Sequence, residues 1–199
     1  MRKITTILVA GLLASPWACV SAGVDQIAKD CDGCHGKDGN SEVGKVPSIA
    51  GMSAAYLSDT LIGYKSGDRP GLKYTPKDGA ETDMNEVAKK LSDDDISAIA
   101  DHYAGLTFKP GKQSVDSAMA AKGKAVFDDE CEKCHSEGGT VADDDAGIIG
   151  GQWKPYLEGQ FKLFDEEKRE MPKKMAKKFS KVSASDKAAI IEFLAGGGK

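Results

Sequence analysis

The chain has 199 residues, 40% of them hydrophobic, 29% charged and only 7% aromatic, with 27 basic residues against 31 acidic ones. That length allows one ordinary domain or two small ones, and so few aromatics leave thin material for two cores unless a disulfide, a metal or a bulky cofactor adds a staple. The acidic balance excludes a protein built to grip nucleic acid.

Arg2 and Lys3 open the chain, an uncharged run follows from Ile4 to Ala14, and Val20-Ser21-Ala22 supplies compact residues. This pattern predicts a secretory signal over residues 1–22, cut after Ala22, and the apolar run is too short to span a bilayer. A lipoprotein signal on Cys19 is the alternative, and Pro16-Trp17-Ala18 before it fits that poorly. No later segment is suited to crossing a membrane, so the expected product is soluble and periplasmic. Without residues 1–22, 25 basic residues stand against 31 acidic, a net charge of −6. All of it falls in residues 23–106, which hold 9 basic and 15 acidic residues, while residues 107–199 hold 16 of each.

Residues 23–106 form the first expected domain. Val24, Ile27 and Cys31 lie at helical spacing and lead into Cys31-Asp32-Gly33-Cys34-His35, a C-x-x-C-H motif. Two thiols three positions apart reach the two vinyl groups on one edge of a porphyrin, and the adjacent histidine then lies under the ring, where its imidazole can meet iron. A second helix is expected from about Ser53 to Lys65, with Tyr56, Leu57, Leu61 and Tyr64 on one stripe. Met84 falls in the loop that feeds the last helix. That helix starts at the N-cap Ser92, carries Asp93, Asp94 and Asp95 in its first turn, buries Ile96, Ile99 and Tyr103, and stops at Gly105.

Residues 107–117, with Pro110 and Gly111 at their centre, read as a linker, and residues 118–199 as a second domain. The halves align at an offset of 100 residues: Cys131, Cys134 and His135 answer the first motif, and Ile149, Gly151, Tyr156 and Leu157 answer Ile49, Gly51, Tyr56 and Leu57. Phe164 stands opposite Tyr64. Ala125 and Phe127 lead into the second motif, a helix begins near Lys154-Pro155, and Ser183, Ile190, Ile191, Leu194 and Gly196 repeat the last helix. The last helices align at an offset of 91, so the second half is nine residues shorter in the loop before it. The tail from Gly196 to Lys199 is expected to fray. With no alternating strand pattern, the fold class is all-α: two homologous domains in tandem.

Of five cysteines, Cys19 leaves with the signal and four remain in two pairs. A disulfide framework leaves the histidine after each pair unexplained. Paired zinc motifs stand about 15–20 residues apart, and a thioredoxin-like pair occurs once beside a βαβ pattern. Haem therefore accounts best for Cys31, Cys34, Cys131 and Cys134 as attachment points and for His35 and His135 as iron ligands. In the register of the last helices Met84 and Met175 occupy one position, each eight residues before a serine N-cap, where a soft thioether can take the other face of iron. Met171 competes in the second half, and the register argues against it. Met52 and Met119 read as packing. His102 is the one histidine outside the motifs; bis-histidine ligation through it has no counterpart in the second half, where Phe193 stands in its place.

Two C-x-x-C-H units with downstream methionines resemble the dihaem class I cytochromes, the cytochrome c4 family, over nearly all of residues 23–199. CDGCHGKDGN at 31–40, PSIAG at 47–51 and YKSGDR at 64–69 carry the likeness in the first half. KQSVDSAMA at 112–120, CEKCHSEGG at 131–139, GQWKPYL at 151–157 and MPKKMAKKF at 171–179 are similar to one branch, the dihaem cytochrome subunit of flavocytochrome c sulfide dehydrogenase. The resemblance implies two class I cytochrome c domains facing each other, each a small helical bundle around one covalent haem c. It also implies that the Pro47 carbonyl receives the His35 N–H, a bond that Gly147 puts in doubt for the second haem. The implied function is single-electron transfer from a flavoprotein sulfide dehydrogenase or another respiratory donor to a further redox protein. The alternative is a haem enzyme of peroxidase or thiosulfate dehydrogenase type. Lys173, Lys174, Lys177, Lys178 and Lys181 around Met175 and Glu81, Asp83 and Glu86 around Met84 predict oppositely charged faces beside the two haem edges.

Overall fold

The computed structural model describes residues 21–77 and 79–199. The predicted signal up to residue 20, with Cys19, lies outside the described residues. Within them the chain is helical, and the only strand-like pairing is an isolated bridge between Tyr74 and Thr82. The first half comprises α1 (Ser21–His35), α2 (Ala54–Ser66), α3 (Met84–Ala88) and α4 (Asp93–Ala104). The second comprises α5 (Ser117–Glu130), the four-residue α6 (Ser136–Gly139), α7 (Lys154–Asp165), α8 (Lys173–Phe179) and α9 (Ala184–Ala195).

Side-chain caps set most of these boundaries, because the first backbone N–H groups of a helix need outside acceptors. Ser53 accepts from Tyr56 N–H to start α2, and Gly67 closes it in the left-handed region at φ 91°. Ser92 and Asp95 form a reciprocal capping box on α4, and Ser183 accepts from Asp186 N–H on α9. The exact offset of 91 residues between α4 and α9 matches the expected register.

Two expectations are corrected. The methionine segments are not plain loops: Met84 opens α3, capped by Asp83, and Met175 lies inside α8, where Lys and Ala are strong helix formers behind Pro172. The C-terminal tail is anchored. Gly197 and Gly198 donate to the Leu194 and Phe193 carbonyls at 2.9 and 3.1 Å, and Gly198 is buried against Gly138, an approach that no Cβ would permit.

Each half has its own apolar core. Phe127, Leu157, Ile190, Phe193 and Leu194 centre the second, where Gly123 lets α5 cross α9 at backbone contact. Ala28, Met52, Leu57, Ile99 and Tyr103 centre the first, and Ile148 of the second half is buried among them. The connecting stretch is tied down as well. Asn40 donates to the Thr107 carbonyl at 3.1 Å and accepts from Lys109 N–H at 2.7 Å, and Gln113 donates to the carbonyls of Gln152 and Ala195.

Candidate functional site

Helix α1 runs through the first C-x-x-C-H motif, so Cys31, Cys34 and His35 project from one helical end. They line a cavity of about 500 Å³ together with Met84, Ile27, Leu57, Ile99 and Tyr103, a size within the range of cofactor sites, about 300–1,000 Å³. His102 is not among the lining residues; it packs edge-on against Tyr103 with ring centroids 5.0 Å apart. Met52 is a core residue and also reaches the cavity wall.

The electrostatics suit an apolar, iron-binding pocket. Burial and then the charges of Asp30 and Asp32 push the Cys31 thiol up to about 11, so it stays protonated at neutral pH. Burial holds the His35 imidazole below its ordinary range, and therefore neutral, as a metal ligand must be. Its Nδ1 lies 2.8 Å from the Pro47 carbonyl; as donor there it leaves Nε2 for the cavity. Asp32 braces the motif: it accepts from Asp38 and Gly39 N–H and from the Tyr103 hydroxyl at 2.8 Å. Glu132 does the same in the second half, accepting from Glu137 and Gly138 N–H.

The second motif is built differently. α5 stops at Glu130, and Cys131 to His135 run through turns. Burial and the neighbouring Glu130 push Cys131 up to about 11, and burial lowers His135. His135 Nδ1 is sealed from solvent with no hydrogen-bond partner. At Gly147, the position that answers Pro47, φ is +74° and a Cβ would stand 2.5 Å from the Tyr56 ring. Proline, locked near −65°, cannot occupy that backbone. Met175 sits half-buried in α8, which Lys178 tethers beside Cys131 through Glu130 at 2.8 Å and the Asp129 carbonyl at 3.1 Å. Lys178 thus has a structural task. On the other side Asp83 caps α3 and, with Glu86, pairs with Lys73 at 2.7 and 3.1 Å, so the expected acidic face is largely engaged.

Two residues escaped the sequence reading. Arg69 and Arg169 stand at the same offset of 100 and are, with Arg2, the only arginines in the chain. Arg69 stacks over Tyr64 at 4.9 Å and Arg169 over Phe164 at 4.6 Å. Arg69 donates to Thr60 at 3.1 Å, and Arg169 to Gln160 at 2.5 Å. Burial and the charge of Arg69 lower Arg169. Burial by itself would raise the Tyr56 phenol, but the two guanidiniums bring it down to about 8. Among the described residues neither arginine pairs with a carboxylate, and Arg69 Nε is buried without a partner. Buried cations want anions. Arg69, Tyr56 and Tyr156 all line the cavity, so the pocket offers two thiols, an imidazole and a thioether on apolar walls, with positive charge at one side. A haem has the matching vinyl edge, iron and carboxylates. A tetrahedral zinc centre does not fit, since no cluster of three or more His, Cys, Asp or Glu gathers among the described residues.

Comparison with known proteins agrees with this geometry. Residues 20–106 match the cytochrome c family model, and residues 118–194 match the model of cytochrome c oxidase, cbb3-type, subunit III. Cytochrome c4 of Pseudomonas aeruginosa is 30% identical over 97% of this chain and 96% of its own. The cytochrome subunit of sulfide dehydrogenase from Chlorobaculum tepidum is 35% identical over 42% of this chain and 66% of its own. The crystal structure of reduced recombinant cytochrome c4 from Pseudomonas stutzeri superposes with a TM-score of 0.70 at 28% identity, covering 88% of this chain and 97% of that one.

Proposed function

The chain belongs to the cytochrome c4 family and carries two covalently bound haem c groups as an electron carrier, and on that premise we propose that it works in the periplasm with irons held by His35 with Met84 and by His135 with Met175. The observation that carries the reading is the shared cavity, which has Cys31, Cys34, His35 and Met84 on its walls. For the second pair the support is the common register of Met84 and Met175 and the tether that keeps α8 beside Cys131.

When bound, each haem supplies a one-electron iron couple. The protein's part is to keep that couple clean. His35, kept neutral by burial and oriented by the Pro47 carbonyl, and Met84 would together hold the iron, and a haem so held would pass electrons rather than bind a substrate. Ile27, Leu57, Leu61 and Ile99 give the cavity apolar walls. Arg69 places positive charge at its side.

The donor in this reading is a flavoprotein sulfide dehydrogenase. The second-half motifs, and a relative that bears the name of that enzyme's cytochrome subunit, support it. The exposed Lys173, Lys174 and Lys177 on α8 offer an acidic partner a docking face. Periplasm of the native host, fractionated on the immobilised cytochrome, tests the donor. A flavin-containing fraction that reduces the haems when sulfide is added is expected. Haem reduction by a fraction without flavin would replace this donor with another.

A further inference from the structure

Positions 52 and 152 answer each other in the repeat, yet one holds methionine and the other glutamine. Met52 is 5% exposed and sits in the apolar core of the first domain; Gln152 is 1% exposed. A primary amide so deeply buried must find partners for its polar atoms. Gln152 Oε1 accepts from Ser48 N–H at 3.0 Å, and its Nε2 donates to the carbonyls of Ser48 at 2.9 Å and Ile148 at 3.0 Å. Two of these three bonds grip both backbone groups of one residue in the other domain.

Ser48 directly follows Pro47, whose carbonyl faces His35 Nδ1 at 2.8 Å. The loop behind that carbonyl is held at its other end too. The Ser48 hydroxyl accepts from Ser41 N–H at 3.0 Å, and Trp153 Nε1 donates to the Ser41 carbonyl at 2.8 Å. Two consecutive residues of the second domain thus close the loop that supports the ring of the first motif.

We propose that Gln152 is a positioning residue for the first haem: its carboxamide clamps Ser48 and so fixes the Pro47 carbonyl that orients the His35 imidazole. The inference rests on His35 being an iron ligand. A hydrogen bond from the far ring nitrogen to a fixed carbonyl makes imidazole a stronger donor to the metal, which favours ferric over ferrous iron. Releasing the clamp weakens that bond and eases reduction. His135 Nδ1 has no such acceptor, so the effect is confined to the first haem. One domain thereby sets the redox equilibrium of the other.

The test uses the full-length holoprotein. Gln152→Met introduces the side chain that position 52 already buries, and Gln152→Asn keeps an amide too short to span both Ser48 groups. Redox titration, with the first haem identified by its displacement in Met84→His, should show its reduction equilibrium moved toward ferrous by roughly fivefold, the worth of one ordinary hydrogen bond. The second haem should stay in place. The His35 Nδ1 proton should exchange with solvent faster in NMR spectra of the ferrous protein. Trp153→Phe removes the other cross-domain bond and leaves the clamp, so it should move the first haem less than half as far. Unchanged titration and unchanged proton exchange in both Gln152 variants would overturn the proposal. An equal shift in Trp153→Phe would overturn it as well, in favour of general loosening at the domain boundary. His35→Gln separates the underlying reading: if the first haem keeps its low-spin spectrum in that variant, it is the ligand assignment that fails.

Discussion

The two domains share one plan, and one place where they differ is the contact of Tyr56 in the first with Gly147 in the second. In the first, α1 carries the motif to its end and His35 meets the Pro47 carbonyl. In the second, the motif lies in turns, Gly147 replaces the proline, and His135 Nδ1 stands alone. Tyr56 of the first half packs on Gly147 and leaves no room there for a side chain. A duplicated unit that folds against its own copy cannot keep both faces alike, and the two C-x-x-C-H motifs keep their residue types while their surroundings diverge. Away from the contact the asymmetry reverses. Gly123 lets α5 and α9 touch at backbone level, whereas a side chain at the equivalent Gly23 would meet nothing within 4 Å among the described residues.

The most drastic way to break the comparison is to remove one cofactor. Mass spectrometry of the intact protein should show two haem additions, and one in either Cys31→Ala/Cys34→Ala or Cys131→Ala/Cys134→Ala. Loss of the first haem empties the cavity that α1, α2 and α4 share, so the first domain should lose its cooperative melting. The second, with its interlocked α5 and α9, should retain more helix by circular dichroism.

Exchanging the outer ligand is the next largest change. Met84→His or Met175→His should lower the potential of its own haem only, by a substantial part of the roughly 0.8 V that axial ligands span. A shift of both haems by either variant would show that the two sites are not separable.

Gly147→Ala probes the contact itself. It forces a β-carbon into a positive-φ backbone and against the Tyr56 ring, and should cost about 1–3 kcal/mol of thermal stability. Ala at Gly23, where space is open, should cost less than about 1 kcal/mol. The smallest effect is expected at the surface. Glutamate at Lys173, Lys174 and Lys177 should slow electron exchange with an acidic partner at low salt, flatten its ionic-strength dependence and leave both potentials nearly unchanged. Stopped-flow traces that do not change at low salt would remove these lysines from the docking face.

The proposed cofactor residues can be named from sequence because their chemistry is local. Cys31, Cys34 and His35 fall within five positions, and the offset of 91 residues singles out Met84 and Met175 through their serine N-caps. The helices were legible for the same reason, since periodicity and caps are short-range. The short α3 and α8 were missed because five to seven residues carry too little periodicity. Gln152, Ser48 and Tyr56 act across more than ninety residues of chain, and nothing in local sequence announces such pairs. Arg69 and Arg169 were within reach, as two of only three arginines at the repeat offset. What hid them was that buried charge reads as surface charge until packing is seen.

The near-red absorption of ferric iron bound to a thioether tests the central account most directly, because it counts methionine ligands. The wild-type protein should show the band at two ligands per molecule, Met84→Ala and Met175→Ala should each halve it, and Met171→Ala should leave it whole. A band that survives Met175→Ala and is halved by Met171→Ala would contradict the shared register on which both sites are assigned.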